Sequence, residues 1–200
     1  GVNETIVVGA KSGEAISIYV LYVGGYHKAA VAGDAYQTFK SAYLTQTAAG
    51  KLCLLVSIDE ASEDYITFPV SFNGTTPVLQ DEAVGYAYKV SGTQVTLSGH
   101  MDVIGTWDYT RKYKLNNDFT PQKPSDYTIV MNWMQPLHTI RELPVEMFVD
   151  GAYAADTLPA GTTLTPVMTD GNTYMTFKLE DGSTGRILFT RGENVEVYID

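Results

Sequence analysis

The sequence has one cysteine, three histidines and few charges. A lone cysteine excludes an internal disulfide. Cys53 lies in the apolar run Leu52-Cys53-Leu54-Leu55-Val56, where it reads as a small buried hydrophobe and not as a nucleophile paired with His100. His27, His100 and His138 are far apart, and no His-x-x-x-His or Cys-x-x-Cys spacing occurs, so zinc chemistry has no support. Neither a Gly-x-Ser-x-Gly elbow nor a phosphate-cradling Gly-x-x-x-x-Gly-Lys loop is present. No catalytic residue and no cofactor is expected. No apolar stretch reaches the length of a membrane span, so no transmembrane segment is expected. Gly1-Val2-Asn3-Glu4 brings neither a basic region nor an apolar core, so no signal peptide is read here and export stays open.

Charged residues make up only 18% and are unbalanced, for a net charge of -10. An acidic chain repels phosphate backbones, which excludes nucleic acid as the expected partner and disfavours anionic lipid and anionic wall polymers. The acidic residues come in pairs such as Asp59-Glu60 and Glu63-Asp64, with no run long enough for an acidic tail. That loop supplies hard oxygen ligands, so Asp59, Glu60, Glu63 and Asp64 are weak calcium candidates without the Asp-x-Asp-x-Asp-Gly order. With Asp102 and Asp108 they are also the carboxylates a glycoside hydrolase would need.

What is plentiful points to β-structure. There are 200 residues, 44% of them hydrophobic, with 14 tyrosines and 18 glycines. This is a globular composition suited to strands and tight turns. Ile16, Ile18, Val20 and Tyr22 alternate with Ser17, Tyr19 and Leu21 as a first strand. Residues 34–46 predict the one helix, with Asp34 as cap and Tyr36, Phe39 and Tyr43 at helical spacing. From Lys51 the period is two. Leu52–Ser57 reads as a buried strand, and Ile66, Phe68, Val70 and Phe72 share one side of the next. Pro69 in that strand predicts an edge or a bulge. Asn73-Gly74 is a hairpin signal, and also part of one of two chance glycosylation tripeptides, with Asn3-Glu4-Thr5. Val84, Tyr86, Tyr88 and Val90 alternate, as do Val95, Leu97, Gly99, Met101 and Val103, and then Trp107, Tyr109, Tyr113 and Leu115. This parity places Tyr86, Tyr88, Tyr109 and Tyr113 in the core. Tyr19, Tyr174 and Trp107 are the candidates for a surface on which a sugar or peptide stacks.

The prediction is therefore a mostly-β chain. Residues 1–122 form an antiparallel β-meander domain, a sandwich, open barrel or set of blade-like sheets. The proline-bearing stretch 123–136 is a linker or shared segment, and 137–200 a small barrel. The strands from Lys51 to Leu115 loosely resemble the blade-type strands of secreted bacterial propellers, without an internal repeat period.

In the last third, strands are read at Leu143–Phe148, Leu164–Met168, Tyr174–Leu179, Gly185–Phe189 and Val195–Tyr198. The order Leu158-Pro159-Ala160-Gly161-Thr162, Asp170-Gly171, Tyr174, Asp181-Gly182 and Gly185 resembles the bacterial SH3-like domain. In that family aromatics help line a groove for cell-wall peptides. Tyr174 stands where the family usually has tryptophan, and Arg186 where tryptophan often follows the last glycine. The resemblance implies an extracellular, non-enzymatic module of a secreted or surface-attached bacterial protein, with a cell-wall peptide, a glycan or another protein as partner. The alternatives are a cell-envelope hydrolase and an assembly module that pairs through strand edges.

Overall fold

The computed structural model describes residues 4–9, 15–32, 36–61, 64–122, 129–133 and 135–189. These residues are all-β, with no helix among them. Contacts divide the chain into two units, 1–99 with 112–125, and 100–111 with 126–200.

In the first unit, β1 (Thr5–Gly9), β2 (Ile16–Tyr22) and β3 (Gly25–Ala32) form a three-stranded antiparallel sheet with β2 in the middle. A second sheet follows: β4 (Thr38–Gln46), β5 (Leu52–Asp59), β6 (Tyr65–Asn73) and β7 (Thr76–Leu79) in that order, with β8 (Ala83–Val84) also against β6. β5 is buried on both faces from Cys53 to Ile58, which is why Cys53–Val56 is apolar without alternation. Leu54, Val56 and Ile58 pack with Ile16, Ile18 and Val70. Cys53 and Leu55 face the other way, toward Ala87, Val95, Leu97, Tyr113 and Leu115.

The helix predicted over 34–46 is not formed. Thr38–Gln46 is β4, paired with β5 along its length. Its tyrosine and threonines favour a pleated strand, and the residues at helical spacing make no buried stripe: Tyr36 and Phe39 are exposed. The proposed cap Asp34 lies outside the described residues. Pro69 also differs from expectation, because β6 is an interior strand. β7 pairs Val70 with Leu79 and β8 pairs Thr67 with Ala83, so Pro69 stands at the break between the two. Its carbonyl accepts from the Gln80 amide there (2.9 Å). A residue's N–H and C=O point to the same side of a strand, so the missing proline donor faces that same break.

β9 (Tyr86–Ser91), β10 (Gln94–Asp102), β11 (Thr106–Leu115) and β12 (Pro121–Gln122) complete the meander, and 100–111, the tip of the β10–β11 hairpin, belongs to the second unit. The start of β9 is held by hydroxyls. Ser41, Ser57 and Thr67 lie in one row across β4, β5 and β6. Thr67 Oγ1 donates to Gly85 O (2.7 Å), the Ser57 and Thr67 hydroxyls are 2.8 Å apart, Ser57 Oγ accepts from Ala87 N (2.8 Å), and Ser41 Oγ donates to Ala87 O (3.0 Å). Every buried polar atom of the row has a partner. This docking turns Ala87 inward and leaves Tyr86 half-buried and Tyr88 exposed, against the inward parity expected of both. Tyr109 and Tyr113 are buried as expected.

The second unit adds β13 (Ile129–Trp133), β14 (Leu137–His138), β15 (Leu143–Val149), β16 (Ala152–Leu158), β17 (Thr163–Thr169), β18 (Tyr174–Leu179) and β19 (Thr184–Leu188). Neighbours run β16-β15-β19-β18-β17-β13, with β14 also on β17. The barrel expected of this segment is not closed among the described residues: β16 ends the sheet. The strand expected at Val195–Tyr198 lies outside the described residues. The core is Leu143, Val145, Leu164, Met175, Phe177 and Ile187, joined by Trp107 from the hairpin tip. Thr139, itself buried, ties down the Leu158–Thr162 turn. Its Oγ1 donates to Pro159 O (2.7 Å) and accepts from Thr162 N (2.9 Å), while its carbonyl accepts from Gly161 N (2.6 Å).

Candidate binding surface

Strand register decides which side chains share the outer face of the second unit's sheet. Glu146 lies opposite Arg186, Phe148 opposite Tyr153, and Tyr174 opposite Leu188. The period of two sends these six outward, while Val145, Met147, Gly185, Ile187, Met175 and Phe177 go inward. Arg186 Nε donates to Glu146 Oε2 at 2.5 Å, and its guanidinium carbon sits 4.1 Å from the centroid of Tyr153. The rings of Phe148 and Tyr153 are 5.1 Å apart and tilted by 60°. Phe148 is 48% exposed, Leu188 52% and Tyr153 40%. A part-exposed ion pair contributes at most about 1 kcal/mol. The stacking adds about 0.5–1 kcal/mol. The arrangement therefore orients Arg186 far more than it stabilises the fold.

Tyr174 is half-buried on this face, and its carbonyl accepts from the Thr169 hydroxyl. Trp107 is elsewhere: its ring is buried in the core, with Nε1 shared between Val103 O (3.0 Å) and Ile104 O (2.9 Å), so it offers no stacking surface. Tyr19 belongs to the first unit, 5.8 Å from the Tyr26 ring, with Lys28 Nζ 5.5 Å above it. The sequence-level candidates therefore do not form one surface. Tyr174 shares its face with Arg186, and the partners Glu146, Phe148 and Tyr153 carry no linear signal, because only register brings strands 143–149 and 184–188 side by side.

The acidic loop is engaged in its own turn. Asp59 Oδ1 accepts from Ala61 N (3.1 Å), Glu60 Oε1 from Gln37 Nε2 (3.2 Å), and Asp64 N donates to Ala61 O (3.1 Å). Glu63 lies outside the described residues. No group of three or more metal-ligating side chains occurs among the described residues. In the hairpin tip, His100 Nδ1 meets Asp108 Oδ1 at 2.6 Å, and Asp102 Oδ1 accepts from Thr106 Oγ1 (2.7 Å). Burial pushes the Cys53 thiol up to about 11. Asp118, Asp170 and Asp181 are all held below the ordinary carboxylate range. For Asp118 and Asp181 the main cause is the hydroxyl of Thr120 or Ser183. For Asp170, burial pulls upward but is outweighed by bonds from Thr173, Asn172 and Tyr174. Each caps a tight turn.

A second cluster escaped the sequence reading because its lysine fell inside the expected helix. Lys40 Nζ donates to Tyr65 Oη (3.3 Å) and stands 4.6 Å and 4.8 Å from the centroids of Tyr65 and Tyr86. The Tyr65 hydroxyl holds this ammonium above the usual lysine range.

No protein-family model, no curated protein and no solved structure matches this chain.

Proposed function

We propose that the chain is a non-catalytic binding module of a secreted or surface-attached bacterial protein, with a cell-wall peptide, a glycan or another protein as its partner. The observation that carries this reading is the open sheet face on which Arg186, stacked on Tyr153 and paired with Glu146, stands among Phe148, Tyr174 and Leu188. Oriented arginine and exposed aromatics are the side chains that dominate interface energetics. Export rests on the resemblance of the last third to the SH3-like domain.

The hydrolase alternative calls for a carboxylic acid of raised pKa in a cleft. The described carboxylates whose pKa departs from the ordinary range are lowered instead. Asp102 and Asp108 are each bonded to a neighbour on the facing strand. These observations favour binding over turnover.

The test is retention of the full chain on purified cell-wall sacculi, beside an insoluble polysaccharide, at low and high salt. Retention is expected, and is expected to be lost when Arg186→Ala and Tyr153→Ala are combined. No retention on either material would overturn the cell-wall peptide and the glycan as partners and leave another protein. Turnover of any substrate that a single change at His100 or Asp108 abolishes would overturn the reading.

A further inference from the structure

Lys40 is the extra residue of a β-bulge. β4 pairs Phe39 with Ile58 and Ser41 with Ser57, which leaves Lys40 with no residue opposite. A bulge re-aims the side chain it carries. Here it carries the ammonium over two tyrosine rings set nearly at right angles, 4.9 Å apart and inclined by 74°. Neither ring is loose. Tyr65 is buried, and Tyr86 lies between Gly85 and Ala87, which the hydroxyl row pins from both sides. The next ring out is Tyr88, edge-on to Tyr86 at 6.5 Å and 58% exposed.

A free lysine loses rotamer freedom when a ligand fixes it. Lys40 is already held by Tyr65 and Tyr86, so that cost falls on folding and not on binding. An ammonium has three donors. Tyr65 Oη takes one. A donor fixed over Tyr86, whose neighbouring ring Tyr88 is exposed, suits a molecule with hydroxyl acceptors and an apolar C–H face. Charge narrows the class further. Asp59 stands two ladder steps away, opposite Thr38 and Tyr65, with Glu60 next to it, and the whole chain carries -10. Anionic sugars and phosphate-bearing bases are repelled by that field.

We infer that Lys40, Tyr65, Tyr86 and Tyr88 form a saccharide-binding site for an uncharged sugar, which stacks on Tyr88 and accepts hydrogen bonds from Lys40. The site belongs to the first unit and does not rest on the Arg186 surface.

The test is binding of the full chain to soluble uncharged gluco-, galacto-, manno- and N-acetylglucosamine oligomers, beside a uronate-bearing set. At least one uncharged oligomer is expected to bind. Tyr88→Ala and Lys40→Gln, both at exposed positions, are each expected to weaken it by about tenfold or more, equivalent to about 1.4 kcal/mol. Arg186→Ala is expected to leave it unchanged, which separates this site from the sacculus surface. The inference is overturned if no uncharged oligomer binds, if only uronates bind, or if both variants bind as the natural chain does.

Discussion

A Cβ on Gly185 would lie 2.6 Å from Cζ of Phe177. It would also meet Met147 Sδ at 2.8 Å and the carbonyl oxygen of Glu146 at 2.9 Å. The methionine can swing aside; the backbone oxygen cannot, and Phe177 is fully buried. Glycine is what lets β19 lie against β15 here. Gly185→Ala is therefore expected to destabilise the second unit by about 1–3 kcal/mol, the usual cost of overpacking a core. A urea midpoint equal to that of the natural chain would contradict this.

Thr139 gives a second stability prediction. Its hydroxyl both donates to Pro159 O and accepts from Thr162 N at a buried position. Thr139→Val keeps the shape and removes both bonds, leaving the Thr162 amide only its longer bond to Pro159 O (3.3 Å). A loss of about 1–3 kcal/mol is expected, again read from the urea midpoint. Thr139→Ser, which keeps the hydroxyl, is expected to recover most of it.

Acid should weaken the protein in a defined window. Asp118, Asp170 and Asp181 have folded pKa values below their unfolded ones. Their stabilisation is fully present above the unfolded carboxylate value of about 3.9 and is lost as pH falls through the lower folded values. Midpoints at pH 7 and pH 5 should nearly coincide on account of these groups, and fall from about pH 4 downward. Asp170→Asn should flatten the acid limb and lower the neutral-pH midpoint. An acid limb unchanged in that variant would assign it to other carboxylates.

The thiol offers a check on the first unit. Cys53 is fully buried with its pKa raised to about 11, so little thiolate exists at neutral pH. Alkylation at pH 8 is expected to be slow in the folded chain and to become complete in denaturant. Rapid stoichiometric labelling of the native protein would contradict the placement of β5 at the centre of its unit.

Local patterns were legible in the sequence; what depended on neighbours was not. The alternation of Ile16, Ile18 and Val20 gave β2, the run around Cys53 gave β5, and the turns at Asn73-Gly74, Asp170-Gly171 and Asp181-Gly182 fall between paired strands. Each signal is complete within a few residues. The spacing of Tyr36, Phe39 and Tyr43 misled because a strand and a short helix can share it, and pairing with β5 decided the outcome. Tyr86 and Tyr88 left the core because hydroxyls from three other strands fixed the parity of β9. The Arg186 face and the Lys40 cluster depend on register and on a bulge, neither of which a linear pattern displays.

The Ser41–Ser57–Thr67 row has a bearing on the order of folding. Its three hydroxyls come into line only when β4, β5 and β6 already lie side by side. Until then residues 86 and 87 have only their β10 partners, Ser98 and Leu97, and the loop that leads to them gains no docking contact by closing. The segment that carries Tyr86 is thus expected to dock on the sheet only after β4, β5 and β6 have paired. Removing the Thr67 hydroxyl should hasten unfolding and leave the refolding rate almost untouched.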